Sequence, residues 1–362
     1  MRQKISNIVT QEFGLIFKNR GVVLILLLAP LIYALLYSLS YDKQVVERVP
    51  IAVIDNSHSH SSRQLISHLT ASPYLSASNI TTDMEMAKQA LFDRTIYGIV
   101  FIPSNYEQQL LRHEQATLSL YFDGSYFLMY RQVFQGVIGA ISAINKSIAP
   151  SATINYRPHT LFNPQLGYGT FIMPAILLVI LQQTAIMAIG TVGGVWSEHK
   201  LYRRGSAIAT FIAKSVVYFS ICLLLAAYIL TIHYRIFNYP INGLPTTLLA
   251  VIIPYVLAFV FLGITISTLF HHSESALLSI VWTSIPALLL SGASLPIEAF
   301  PRALKIIGKV LPSSSAVPAF IRAQSMGADS SEIAAQIATL WVLSVVYGLL
   351  AIVLLKKRMP ES

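Results

Sequence analysis

The residue types that could perform covalent chemistry are present but lack the spacing that chemistry needs. Gly292–Pro296 reads GASLP, close to a serine-nucleophile turn. It lacks the closing glycine of G-x-S-x-G, and the last apolar segment offers no histidine to act as base. Gly308-Lys309 resembles the end of a phosphate loop, but Val310 follows where a magnesium-binding hydroxyl is required, and no G-x-x-x-x-G-K-[ST] occurs. No H-E-x-x-H is present. His58, His60 and His68 sit beside a run of serines with no cysteine nearby, so they read as solvated loop histidines and not as metal ligands. The one cysteine, Cys222, lies in an apolar run and cannot form an intrachain disulfide. The sequence therefore predicts no catalytic residue, no metal and no cofactor on this chain. If ATP is used, another chain must bind it.

The composition explains why chemistry is sparse. Of 362 residues, 54% are hydrophobic and only 11% are charged. A soluble domain carries about 25% charged residues, so this chain cannot cover a globular surface of its size. That excludes a disordered, a nucleic-acid-wrapping and a disulfide-stapled protein, and predicts a polytopic α-helical membrane protein. Six segments are long and apolar enough to cross a bilayer: Gly21–Ser40, Thr170–Val195, Ile208–Ile232, Thr247–Phe270, Ala276–Ser294 and Ile333–Leu355. Internal prolines such as Pro30, Pro174, Pro254 and Pro286 do not demote them. The first run is too long for a cleaved signal and no small-residue cleavage site follows it, so it reads as an anchor.

The net charge of +9 becomes a topology signal. With both termini cytoplasmic, the cytoplasmic segments hold Arg2, Lys4, Lys18, Arg20, Lys200, Arg203, Arg204, Lys214, Lys356, Lys357 and Arg358 against Glu12, Glu198, Glu274 and Glu361. The positive-inside rule favours that orientation. Residues 1–20 then form a cytoplasmic interfacial helix and 356–362 a cytoplasmic tail.

Residues 41–169 alone look soluble, with nine basic and nine acidic side chains. VPIAVID, YGIVFIP and TLSLYFDG read as strands, the last closing in an Asp123-Gly124 turn. Ser61–Thr70, Met84–Phe92 and Ser104–Arg112, the last with Ser104 as N-cap, read as helices. Tyr126–Ile148 reads as a long apolar helix that is not a span. The expectation is an inserted extracytoplasmic α/β domain.

Residues 170–355 would then hold five spans and three polar features. Gln182, Gln183 and Thr184 inside the second span, with Lys214 in the third, would hydrogen-bond between helices or line a substrate path. Trp196–Ala207, WSEHKLYRRGSA, is short, basic and amphipathic and would lie along the cytoplasmic interface. Ser291–Ala328 mixes apolar turns with Pro296, Pro301, Pro312 and Pro318, as short broken helices dipping into the outer leaflet would.

At these residues the chain resembles the membrane permease of an ABC type-2 exporter, in the bacterial drug-efflux branch with a large periplasmic domain. The similarity runs over nearly the whole chain. It is carried by the SGASLPIEAFP segment with its later Leu-Pro, Arg322 and Gly327, by FNPQLGYGTFIMP before the second span, by YFDGSYF, and by EFGLIFKNR before the first span. The cytoplasmic insert departs from the family's acidic-basic run: it reads Glu198-His199-Lys200-Leu201-Tyr202-Arg203-Arg204-Gly205. The resemblance implies a bacterial inner-membrane protein that moves hydrophobic, drug-like molecules outward. A separate ATPase subunit would hold ATP and magnesium, and a second permease copy or a related permease would complete a dimer. Membrane lipid and a periplasmic membrane-fusion adaptor are further implied partners, and nucleic acid is not. Glu12 and Glu198, His199, Lys200, Tyr202, Arg203, Arg204 and Gly205 would couple to the ATPase. Gly292, Pro296, Glu298, Pro301, Pro312 and Arg322 would form the outer gate. Export of a lipid-linked glycan or of sodium is an alternative cargo, and a membrane sensor or scaffold with a ligand-binding outer domain an alternative class.

Overall fold

The structure is a computed structural model of the chain. It describes residues 5–40, 48–81, 83–93, 95–112, 114–122, 127–148, 168–203, 206–292 and 300–359. The chain divides into two compact units. One holds residues 1–42 and 161–362, the other residues 43–160.

The larger unit is helical. Among the described residues, six helices are long and apolar enough to cross a membrane. They are α2 (Arg20–Ser40), α7 (Tyr168–Glu198), α8 (Ala207–Ile236), α9 (Pro245–Ser267), α10 (Ser273–Leu290) and α13 (Ala334–Arg358). Each lies within a few residues of its sequence expectation. In α2 a π-turn over Leu24–Leu28 sits just ahead of Pro30, whose ring lacks an N–H for the regular ladder. The most enclosed spans are α7 and α9, which form the centre of the bundle.

A short helix, α1 (Ile5–Lys18), precedes α2. Asn19 separates them, and its side chain accepts the backbone N–H groups of Gly21 and Val22 to start α2. Between α10 and α13 come α11 (Arg302–Gly308) and α12 (Pro312–Met326), bent 88° from one another. Pro301 is the N-cap of α11 and Pro312 opens α12, where a missing N–H costs nothing. Gly327, at φ 71°, closes α12 in the left-handed conformation that glycine adopts without strain.

The smaller unit is built on a four-stranded sheet in the order β2-β1-β3-β4, with β1 (Val49–Asp55), β2 (Leu75–Thr81), β3 (Gly98–Ile102) and β4 (Ser119–Phe122). The first three strands are parallel, and β4 runs antiparallel to β3. Strand β1 is buried on both faces, as a central parallel strand must be. Val49, Ile51 and Val53 face a core completed by α3 (His60–Thr70) and α6 (Phe127–Ile148). Ala52 and Ile54 face a smaller core with Ala87 of α4 (Met84–Phe92).

Two details differ from the sequence reading. Strand β2 was not expected: in LSASNIT the alternation that packs on the core, Leu75 and Ala77, is too short to read as a strand. Helix α5 (Tyr106–Leu111) starts after Asn105, so Ser104 is not its N-cap. The Asp123-Gly124 turn lies outside the described residues.

Candidate functional site: a charged cluster at one end of the bundle

Helix α1 buries one stripe, Ile8, Glu12 and Ile16, at the i, i+4, i+8 spacing of a single helical face. The middle member of an otherwise apolar stripe is a carboxylate, and the bundle answers it fully. Glu12 Oε1 lies 3.0 Å from Lys214 Nζ and accepts the Tyr218 hydroxyl at 2.7 Å. Glu12 Oε2 accepts the Trp196 indole N–H at 2.7 Å. Lys214 and Tyr218 are one turn apart on α8, and Trp196 is on the last turn of α7. Lys214 also lies 4.2 Å from the centre of the Trp196 ring, close enough for cation–π attraction. The Glu12 and Lys214 side chains are both 0% exposed.

A buried ion pair gains little net stability over apolar packing, but it binds its partners to one geometry. The cluster thus fixes α1 to the ends of α7 and α8. The Glu12 carboxylate, expected to couple to the ATPase, faces inward to the bundle.

The segment expected as an interfacial helix over Trp196–Ala207 takes another form. Helix α7 continues to Glu198, and a single 3-10 turn follows at Leu201–Arg203. Lys200, at φ 53°, makes the reversal. Trp196 and Tyr202 are drawn into the bundle, their rings 5.4 Å apart. The large apolar surface of both rings outweighs the amphipathic pattern that suggested a surface helix. Burial first, and the Glu12 charge next, push the Tyr202 phenol far above its ordinary range, so it stays protonated. His199 and Lys200 stay exposed. Arg203 is in the 3-10 turn, and Arg204 and Gly205 lie outside the described residues.

Glu198 reaches across to α10. Its Oε1 accepts the Ser273 backbone N–H at 2.9 Å and the Ser273 hydroxyl at 3.1 Å. A carboxylate at the first turn of a helix satisfies an orphan donor and meets the positive end of the helix dipole. The approach depends on Gly193 and Gly194. A Cβ at Gly194 would stand 2.4 Å from the Ser273 nitrogen, and one at Gly193 2.4 Å from the Ser267 Cβ. Arg358, at the end of α13, donates to the Phe270 carbonyl at 3.0 Å and to Ser197 Oγ at 3.2 Å, and its guanidinium stands 5.6 Å from the Tyr202 ring. Ser273 and Arg358 were not singled out in the sequence. Arg358 is hidden there inside an ordinary basic tail, and Ser273 has no motif.

Two of the three expected substrate-path residues bind neighbouring helices. Gln182 of α7 meets the start of α12: its Oε1 accepts the Ser313 N–H at 3.0 Å, and its amide donates to Ser313 Oγ at 3.3 Å. Gln183 donates to the Thr283 carbonyl of α10 at 3.3 Å. Thr184 donates back to Ile180 of its own helix at 2.8 Å. All three side chains are buried. Of the expected gate residues, Gly292 ends the turn after α10, Arg322 is half-buried on α12, and Pro296 and Glu298 lie outside the described residues. The loop before α9 grips the end of α12: Asn242 donates its side-chain amide to the Ser325 carbonyl at 2.8 Å and its backbone N–H to Gln324 at 2.8 Å.

The structure thus brings together Glu12, Trp196, Tyr202, Lys214 and Tyr218, with Glu198, Ser273 and Arg358 beside them. Gln182 and Ser313 form a separate junction inside the bundle. Comparison with curated proteins gave no match. The family described as ABC-2 family transporter protein matches residues 20–353, nearly the whole chain. The chain therefore belongs to the ABC-2 transporter family, as a membrane-spanning permease component.

Proposed function

We propose that this chain is the permease subunit of an ATP-driven exporter of hydrophobic, drug-like molecules. The observation that carries this reading is the buried cluster that fastens α1 to α7 and α8 through Glu12, Lys214, Trp196 and Tyr218. A surface helix tied by an internal ion pair moves with the spans it grips. A push delivered at that end of the bundle therefore reaches the interior, and coupling needs such an element with two arrangements.

In this reading the end bearing Lys200 and Arg358 is cytoplasmic, and a separate ATPase subunit docks there. Glu12 acts by holding α1, and Glu198 by holding α10. The exposed His199 and Lys200, with Arg203, Arg204 and Gly205, meet the partner. The sheet unit is extracytoplasmic, the α11–α12 pair forms the outer gate, and a second permease copy completes the path in a bacterial inner membrane. An adaptor would engage the sheet unit.

The test is purification from membranes after expression with a candidate ABC ATPase subunit, followed by dye transport in inside-out vesicles. The expected result is a copurifying ATPase and ATP-dependent accumulation of a hydrophobic dye. Repeated purification without a nucleotide-binding partner, and no ATP-dependent accumulation, would overturn the reading.

A further inference from the structure

Helix α6 carries Gly136, Gly139, Ala140 and Ala143 at spacings that place them on one face. So small a face lets a neighbouring element approach the helix backbone. At Gly136 one does: an added Cβ would stand 2.4 Å from Leu75 Cγ. At Gly139 none does, and an added Cβ would meet nothing within 4 Å. The space over Gly139 is part of a groove of about 240 Å³ between α6, the last turn of α3 and the turn at 71–74. All the residues that line it belong to the sheet unit.

On the side of the turn, Ala71 and Pro73 supply apolar wall. His68, Tyr74 and Gln135 supply polar groups. His68, read from the sequence as a loop histidine, sits in the last turn of α3. Its imidazole, the Tyr74 hydroxyl and the Gln135 amide make no hydrogen bond to any described residue. Ser72 Oγ, by contrast, is occupied by the Tyr74 backbone N–H at 3.3 Å. A mainly apolar hollow with a few polar groups left open to a ligand is the usual form of a small-molecule site. Among the described residues no Asp, Glu, Lys or Arg lines the groove. A charged ligand would therefore lose its water and gain no ion pair. Volume sets the size: the groove exceeds the ~150 Å³ cavity that takes up benzene and falls short of the ~300 Å³ at which drug-sized pockets begin.

We propose that this groove binds a neutral, bicyclic aromatic molecule with a hydrogen-bonding group on its edge. The ring system lies against the backbone laid bare at Gly139, and its polar edge meets His68 and Tyr74. A neutral imidazole nitrogen accepts an N–H or O–H from the ligand, and the Tyr74 hydroxyl donates to a ligand acceptor. Gln135 closes the rim. The inference concerns the sheet unit alone and rests on neither the ATPase nor the cargo.

The test uses the full chain in detergent and follows the fluorine NMR line of 6-fluoro-2-naphthol, a neutral probe whose hydroxyl can both donate and accept. Wild type should broaden that line saturably, whereas uptake by micelles does not saturate. Gly139→Phe puts a ring into the open space and should abolish saturable binding. His68→Ala with Tyr74→Phe should weaken binding by about tenfold, the loss of two ordinary hydrogen bonds. The charged analogues, 6-fluoro-2-naphthoate and 6-fluoro-2-(aminomethyl)naphthalene, should bind roughly tenfold more weakly than the naphthol. Limited proteolysis of each variant confirms that the sheet unit is folded, and if Gly139→Phe fails to fold, the rim variant decides. Absence of saturable binding to wild type, unchanged binding to folded Gly139→Phe, unchanged affinity in the rim variant, or equal binding of the charged probes would overturn the proposal. No ATP and no second subunit enter this experiment, so a failure of dye transport leaves its outcome unaffected.

Discussion

The Glu12 carboxylate lies 3.0 Å from the Lys214 ammonium with both side chains wholly enclosed, joining a short surface helix to the third span. Removing one charge leaves the other buried without a partner, which costs about 3–5 kcal/mol, whereas replacing both with apolar groups is about neutral. Lys214→Met should therefore lower the thermal midpoint of the purified chain sharply. Glu12→Leu with Lys214→Met should restore part of it, because the Trp196 indole and the Tyr218 hydroxyl still lose their acceptor. A single variant as stable as wild type would show that the pair does not form.

Gln182 supplies the acceptor for an orphan N–H at the start of α12, inside the bundle. Gln182→Leu should cost about 1–3 kcal/mol, the penalty for a buried donor left unsatisfied. Gln182→Asn, which keeps a neutral acceptor, should cost less. Detergent-solubilised thermal unfolding measures both. Equal losses would mean that volume, and not the hydrogen bond, matters at this position.

Gly194 lets α7 approach the start of α10. A methyl group there meets backbone at 2.4 Å, which no side-chain rotation relieves. Gly194→Ala should separate Glu198 from Ser273 and lower transport severalfold with the protein still inserted. Disulfide trapping between cysteines at 198 and 273 should fall in parallel. Unchanged trapping in Gly194→Ala would contradict the role given to this glycine.

In the sheet unit, Ile51 is fully enclosed in the core between β1, α3 and α6. Ile51→Ala should destabilise by about 2–5 kcal/mol, the usual range for such a truncation. Proteolysis should then cut residues 43–160 before the spans. Simultaneous loss of the spans at the same protease dose would show that the two units do not unfold separately.

How much of this was legible in the sequence depends on the kind of signal each element leaves. The spans were legible because about 20 apolar residues in a row have few other uses. Strand β1 was legible because burial on both faces produces an unbroken apolar run, VPIAVID, whereas the edge strand β2 has no such demand and reads as loop. The polar insert after α7 was visible as charge, but its shape was not. The pattern of Trp196 and Tyr202 is equally that of an interfacial helix, and only the contact of Trp196 with Glu12 and Lys214, and of Tyr202 with the Trp196 ring, draws them in. Glu12 and Lys214 stand 202 residues apart, so nothing local announces their pairing. The capping of Ser273 by Glu198 and of Ser313 by Gln182 was invisible for the same reason: each partner is supplied by another helix.

The central claim is that motion enters the bundle through the helix held by Glu12 and the turn that follows Glu198. It is tested most directly by ATP-driven dye transport in inside-out vesicles containing the chain and its ATPase, comparing wild type with Glu12→Leu/Lys214→Met, Glu198→Ala and Gly205→Pro. The account predicts that all three variants insert and still bind the ATPase, and that each transports far more slowly than wild type while ATP hydrolysis persists. Wild-type transport rates in all three would contradict it.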